Sequence, residues 1–328
     1  MARRSYWISL IHRISLILSL AAGVACGQQS PFAGVLAGPV FDPPTNSIRM
    51  ILGYPGAARV GQPVYTDLDD AAIAPDGKSA VVLRGSRIAG LRRLDTGSVQ
   101  EVDFSASYSN LQAAWSPDSQ LAVVWFANPD NTATFQLWPV QQAAAPPLAT
   151  TLSSAAVRCV RLLPDGVLLV AVDDSDRSGI YRIGSNGDVS RIAQSDTPSS
   201  IALDWDHRCF YFLSVKAGAV MRQAVDGSTP AEPVVKDAFQ DISAPAGLAL
   251  LKGRNLALAD AGASAIFLYS LDTGTLISRI DLESAPDGLL PLAGSDWFIL
   301  SHRREKPSAV ILIDSRSNSV YFVPADDK

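Results

Sequence analysis

Three oxygen-bearing side chains, Asp70, Asn110 and Asp287, stand at the start of short apolar runs in this 328-residue sequence, and Ser200 holds a fourth such position. Carboxylate and amide oxygens are hard ligands of the kind that Ca²⁺ requires, in sets of about six to eight oxygen atoms. If the apolar runs are strands around one axis, these side chains converge at one end and could hold a metal ion. The alternative interpretation is that they begin strands and cap loops.

A positively charged segment offers a second kind of chemistry. The segment SHRREKPS (residues 301–308) could bind an anionic partner or a carboxylate through His302, Arg303 and Arg304. Such a run is also typical of a solvated loop. His207, the other histidine beyond the N-terminal region, stands in a predicted hairpin turn. The sequence has no Gly-x-Ser-x-Gly, Cys-x-x-Cys, His-Glu-x-x-His or phosphate-binding glycine motif. We therefore assign no catalytic residue and no organic cofactor.

The first 27 residues have the pattern of a signal peptide. Three arginines precede or enter an apolar stretch, ISLILSLAAGVA (residues 14–25), that is too short to span a bilayer comfortably. Cleavage before Gln28 would release a secreted or periplasmic protein. The segment GVAC, which ends at Cys26, also resembles a degenerate lipobox, so a lipid anchor on Cys26 is the alternative.

The charge balance argues against nucleic acid as a partner. The net charge is −5, and removal of a signal peptide with its three arginines makes it about −8. Binding to nucleic acid or to an anionic membrane surface requires clustered Lys and Arg. We expect a monomer whose partner is a protein or a small extracellular ligand, with membrane contact only through a lipid anchor.

Two cysteines, Cys159 and Cys209, lie beyond the N-terminal region. In an oxidising compartment they could form a disulfide bond. The other interpretation is two buried thiols in strands, and the sequence leaves both open because it does not give the distance between their Cα atoms.

A turn between two apolar runs recurs along the chain. The turns are centred on Asp76, Asp118, Asp165, Asp206, Gly253 and Gly294, at intervals of 41 to 47 residues. A second turn closes most units, at Asp95, Asn186, Asp226, Asp272 and Asp314. Asp-Gly and Asn-Gly turns favour tight hairpins because both residues tolerate positive φ. Each unit is therefore predicted to be four short antiparallel strands, and the whole an all-β β-propeller.

The number of blades is six or seven. Six first hairpins favour six full blades, but GPVFDPPTNSIRMIL (residues 38–52) echoes AVILIDSRSNSVYFV (residues 309–323) and supplies one more hairpin. This hairpin either caps a six-bladed ring or forms a seventh blade that lacks its innermost strands. We predict one propeller domain over residues 28–328, with an N-terminal hairpin at 36–52, a linker at 53–63 and repeats over about 67–325.

The repeats resemble those of known propeller families. PAGLALLKGRNLALADAGASAIFLYSLDTG (residues 245–274) is similar to the NHL-type repeat, with its Pro-x-Gly-Leu-Ala opening and its Ala-Asp-x-Gly step. AAIAPDGKSAVVL and AAWSPDSQLAVVWF resemble the repeats of YVTN and TolB-like propellers, and FDPPTNSIRMILGYPGAA resembles a segment of uncharacterised secreted bacterial propellers. These families include lactonases, lyases, scaffold subunits and binding modules, so the resemblance implies a fold and no single activity.

Three functions remain in view from the sequence, and one of them, an envelope-anchored scaffold subunit, depends on the lipid anchor at Cys26. Another is a secreted binding or scaffold module. The third is a Ca²⁺-dependent hydrolase, because the resemblance to propeller lactonases implies a calcium ion at the mouth of the central channel, with Asp70, Asn110 and Asp287 as its ligands here. Since no catalytic set is assembled in the sequence, we favour the binding module.

Overall fold

Short apolar runs separated by turn residues form antiparallel strands throughout the computed structural model of the protein. The structure describes residues 36–54, 56–107, 109–140, 148–175, 177–195, 198, 200–214, 217–236, 242–292, 297–300, 310–314, 317 and 319–324. These residues contain 27 strands in seven sheets and two short 3-10 helices, at Pro43–Thr45 and Leu94–Thr96. The described residues contain no helix long and apolar enough to cross a membrane.

Each sheet is one blade, and its strands follow one another from the centre outward. Blade 1 contains β1 (Leu36–Asp42), β2 (Ser47–Leu52) and β3 (Arg59–Tyr65). Blade 2 contains β4 (Asp70–Ile73), β5 (Ser79–Arg84), β6 (Arg87–Arg92) and β7 (Gln100–Ser107). Blade 3 contains β8 (Ala113–Trp115), β9 (Leu121–Ala127), β10 (Ala133–Pro139) and β11 (Leu148–Leu152). Blade 4 contains β12 (Val157–Leu162), β13 (Leu168–Val172), β14 (Gly179–Ile183) and β15 (Val189–Gln194).

The remaining three blades have the same four-stranded order. Blade 5 contains β16 (Ile201–Asp204), β17 (Cys209–Ser214), β18 (Ala219–Ala224) and β19 (Glu232–Val235). Blade 6 contains β20 (Pro245–Leu251), β21 (Asn255–Asp260), β22 (Ala265–Ser270) and β23 (Thr275–Asp281). Blade 7 contains β24 (Leu290–Pro291), β25 (Trp297–Ile299), β26 (Val310–Asp314) and β27 (Ser319–Val323).

Seven hydrophobic clusters join the blades into a closed ring. Each cluster lies between two consecutive blades, and the last one packs Val40 and Ile51 of blade 1 against Leu312 and Val323 of blade 7. The backbone N–H of Val60 also donates to the carbonyl of Pro324, at 3.4 Å. The molecule is therefore a seven-bladed β-propeller, and the prediction of a propeller is confirmed.

The structure of blade 1 shows that the favoured prediction, six blades with a capping hairpin, is wrong. The backbone N–H of Leu68, just before β4, donates to the carbonyl of Asn46 in the turn between β1 and β2, so β1 ends where β4 begins. Consequently β1 runs opposite to β4 and takes the place of a second strand. Among the described residues, no strand lies between β1 and the ring axis. The N-terminal hairpin is thus part of a seventh blade, whose described strands are β1, β2 and β3.

The predicted linker at 53–63 is wrong in its second half. After a turn that uses Gly53 at φ +107°, the chain forms β3 from Arg59 and pairs with β2. Pro63 is tolerated there because β3 is the outermost strand of its sheet, where a missing N–H costs least. The glycine and proline residues of this segment predict a linker. The residues from Arg59 onward nevertheless form a strand, because they pair with β2.

The two cysteines are unpaired. Cys159 faces the cluster between blades 4 and 5, and Cys209 faces the cluster between blades 5 and 6. Because blade 5 lies between these clusters, the two buried thiols do not meet. The predicted signal peptide at 1–27 lies outside the described residues, and the described propeller runs from Leu36 to Pro324.

Candidate functional site

The central channel of the ring is a concave site formed by described residues of all seven blades. Its volume is ≈ 530 Å³, and the strand nearest the axis in every blade contributes to its wall. Blade 1 contributes Pro39, Val40 and Phe41 from β1, the strand of that blade nearest the axis among the described residues.

Most of the channel wall is apolar. Ala, Leu and Ile side chains form the larger part, and Phe41, Trp115 and Phe298 supply aromatic rings. The indole N–H of Trp115 donates to the carbonyl of Ala72, at 2.9 Å, so this polar atom is already satisfied by the wall itself. Only two charged side chains, Asp70 and Arg161, belong to the described lining. The described wall of the channel is thus chiefly apolar, with few polar groups.

Arg161 occupies a position that other blades fill with small or apolar residues. The first hairpin of a blade begins with a backbone hydrogen bond, as from Ala74 to Ser79 in blade 2 and from Leu163 to Val167 in blade 4. Two residues before the donor of this bond, blade 2 has Ala72 and blade 4 has Arg161. The same alignment gives Ala114, Ala202, Ala249 and Leu290 in the other four-stranded blades.

The guanidinium of Arg161 lies on the channel side of β12. Since Leu163 bonds to β13, the alternation of backbone groups along a strand turns the Val160 carbonyl away from β13 and toward the axis. The Nη1 atom of Arg161 donates to this carbonyl at 3.1 Å. Within the described part of the chain, no carboxylate forms an ion pair with Arg161.

The three residues of the predicted calcium set lie near one mouth of the channel, but only Asp70 belongs to its wall. Asp70 begins β4, and its Oδ1 accepts the N–H of Ala71 at 2.8 Å. Asn110 and Asp287 are exposed residues of the segments that lead into β8 and β24. Among the described residues, no three His, Cys, Asp or Glu side chains come close enough together to hold a metal ion. The calcium set stays a prediction.

Ser200 has a structural contact. Its buried hydroxyl accepts the backbone N–H of Leu248, at 3.1 Å, and so satisfies an inner-strand group of blade 6 from blade 5. His207 lies in the turn after β16, as predicted, where its Nδ1 is 2.9 Å from both carboxylate oxygens of the buried Asp204. His302, Arg303, Arg304 and Cys26 lie outside the described residues, so their predicted roles stay predictions.

Sequence reasoning missed Arg161, the channel's one described cation. The signal was available in the aligned repeats: four residues before each of the turn positions Asp76, Asp118 and Asp165 stand Ala, Ala and Arg. An arginine at a position where the other aligned repeats carry alanine indicates a role other than packing between strands.

Comparisons with known proteins agree on the fold. No protein-family model matches this sequence, and no curated protein matches it significantly. Among solved structures, a catalytically inactive virginiamycin B lyase of Staphylococcus aureus with quinupristin has a TM-score of 0.55 at 14% identity, over 79% of this chain and 84% of that one.

Two further structures are similar to the same degree. A streptogramin B lyase has a TM-score of 0.53 at 14% identity, over 85% of this chain and 87% of that chain. Regucalcin of Agrobacterium tumefaciens, a calcium-binding protein, has a TM-score of 0.50 at 17% identity, over 84% and 90%. At these identities the likeness shows the β-propeller fold alone.

Proposed function

We propose that this protein is a secreted or periplasmic binding module that takes a small, largely apolar ligand into its central channel. The observation that carries the proposal is the channel itself, with ≈ 530 Å³ of space and an apolar wall contributed by all seven blades. Sites for small molecules have volumes of about 300–1,000 Å³ and combine an apolar wall with a few polar groups. This channel has both properties.

Two further observations support the proposal. The N-terminal pattern of arginines and apolar residues is that of an export signal, which supports an extracytoplasmic location. A lyase crystallised with quinupristin and a calcium-binding protein are among the similar folds, so rings of this kind do accept small ligands. Within the described lining, no nucleophile stands beside a base, and we therefore favour a binding function over a catalytic one.

The test blocks the channel with one large side chain. Leu290, on β24, lines the channel with 38% of its surface exposed, so Leu290→Trp adds bulk to the channel rather than to a packed core. Leu276→Trp is the matched control, because Leu276 is 48% exposed on β23, the outermost strand of blade 6. Decanol, titrated by calorimetry, serves as the apolar probe.

We expect decanol to bind the wild type and Leu276→Trp equally, and to bind Leu290→Trp roughly tenfold more weakly. Equal binding to all three proteins would place the site elsewhere, and no binding to the wild type would remove the small-ligand proposal. In the second case, a protein partner on the loops at one face would become the better hypothesis.

A Ca²⁺-dependent hydrolase is the alternative function. It depends on Asp70, Asn110 and Asp287, of which Asp70 alone belongs to the described channel wall. Turnover of a lactone or sugar-acid ester at enzymatic rates by the purified protein would favour this alternative over the binding module.

A further inference from the structure

Arg161 is the feature of the channel that bears on the class of its ligand. We infer that the channel binds a monoanionic amphiphile, a molecule with an apolar body and one carboxylate-like group, and that Arg161 binds the anionic group. This inference rests on the proposed function, since it names the ligand class for the same site.

The position of Arg161 in the ring is the first argument. At this level the inner strands of four other blades carry alanine, at Ala72, Ala114, Ala202 and Ala249. Small side chains suit this level because neighbouring inner strands converge on the axis. Arg161 places a long charged side chain at this level, and its guanidinium belongs to the channel wall.

The unused donors of Arg161 are the second argument. A guanidinium carries about five N–H donors, arranged to match two oxygens of a carboxylate. In the described part of the structure, Arg161 donates one hydrogen bond, to the Val160 carbonyl, and no carboxylate forms an ion pair with it. A charged group beside apolar surface with no counter-ion favours an anion more strongly than one in open water does.

The second charge of the channel shows where the anion should lie. Asp70 begins β4, and by the hairpin alignment it stands two residues nearer the starting ends of the inner strands than Arg161. Two residues of a strand span about 7 Å. We expect the anionic group at the level of Arg161, away from the Asp70 carboxylate, with the apolar body against Leu and Ile side chains of the wall.

The experiment compares three probes that share one alkyl chain: decanoate and decyltrimethylammonium, each below its micelle concentration, and decanol below its solubility limit. Their affinities are measured by calorimetry for the wild type and for Arg161→Ala, which introduces the residue that four other blades carry at this level. Arg158→Ala is the matched control, because Arg158 lies on the same strand but pairs with Asp173 and does not line the channel.

We expect the wild type to bind decanoate roughly tenfold or more tightly than decanol, and the cation most weakly. Arg161→Ala should lose the preference for decanoate while its affinity for decanol changes less than about twofold. Arg158→Ala should keep the preference. Asp70→Asn should bind decanoate a few-fold more tightly, because a repelling charge is removed.

Different results overturn different statements. Equal wild-type affinities for decanoate and decanol, or a preference that survives in Arg161→Ala, would overturn the role of Arg161 and leave the apolar channel site intact. Failure of every probe to bind the wild type would overturn the proposed function. If Arg161→Ala binds both decanoate and decanol more weakly and also unfolds at a lower urea concentration, Arg161 has a structural role instead.

Discussion

The most densely bonded side chain of the described structure is the carboxylate of Asp260, which ends β21 and has 0% exposure. It accepts four backbone N–H groups, from Ser243, Ala244, Gly262 and Ala263, at 2.7 to 3.2 Å. These bonds attach the segment that leads into β20 to the turn after β21. The Ala-Asp-x-Gly step of the repeat is therefore a structural clamp that fixes the segment leading into β20.

Asp260→Asn should lower the free energy of unfolding by about 3 kcal/mol, measured by urea denaturation. The substituted amide has one acceptor oxygen and an NH₂ group, and the NH₂ would face backbone donors without an acceptor. Asp272→Asn is the control, since Asp272 is 63% exposed and pairs with Arg254 at the surface, where ion pairs contribute at most about 1 kcal/mol. Equal effects of the two substitutions would contradict the clamp.

At the scale of the strand, blade 1 is held together by a buried ion pair that no other described blade has. The Nη1 atom of Arg49 on β2 is 3.1 Å from Oδ2 of Asp42 on β1, and its Nε donates to the carbonyl of Gly61 on β3 at 2.6 Å. Thr45 donates to the same carboxylate oxygen at 2.7 Å. A three-stranded blade has fewer ladder bonds, and these side-chain bonds connect all its strands.

Arg49→Met should reduce the free energy of unfolding by about 3–5 kcal/mol, because it leaves the buried Asp42 carboxylate without its guanidinium. Arg279→Met is the matched control: Arg279 pairs with Asp281 on the exposed face of β23, and its loss should cost less than about 1 kcal/mol. A cost for Arg49→Met no larger than that for Arg279→Met would show that strand pairing alone holds blade 1.

The strands themselves were predictable because their signals are local. The turns at Asp76, Asp165 and Asp226 form where the dipeptide Asp-Gly predicts them, since the glycine takes positive φ at no steric cost. Strand β3 was not predictable in this way. Its residues include Gly61 and Pro63, and they form a strand because β2 offers a free edge for pairing.

At the scale of the whole molecule, the ring decides which distant residues become neighbours. Asp70, Asn110 and Asp287 come from blades 2, 3 and 7, and the parallel course of the inner strands brings them toward one mouth. They supply two carboxylates and one amide, against about six to eight oxygens around Ca²⁺. Whether further oxygen ligands complete the set is the question that a calcium titration answers, and the calcium site stays a prediction.

We expect the midpoint of thermal unfolding to be the same in millimolar Ca²⁺ and in excess EDTA. A ligand that binds only the native state, at a thousandfold excess over its Kd, would add about 4 kcal/mol, which is easily measured as a shift. A Ca²⁺-dependent increase that Asp70→Asn abolishes would instead establish the metal site and favour the hydrolase. Mg²⁺ at the same concentration controls for ionic strength.

The sequence by itself determined the repeat, the hairpin turns and the all-β propeller, because turn chemistry and alternating apolar residues act over a few neighbouring positions. Only the tertiary structure decided that the N-terminal hairpin joins β3 in a seventh blade, that Cys159 and Cys209 face different clusters, and that Arg161 lines an apolar channel. These outcomes depend on contacts between residues far apart in the chain. Such contacts form only when the ring closes and Val60 meets Pro324.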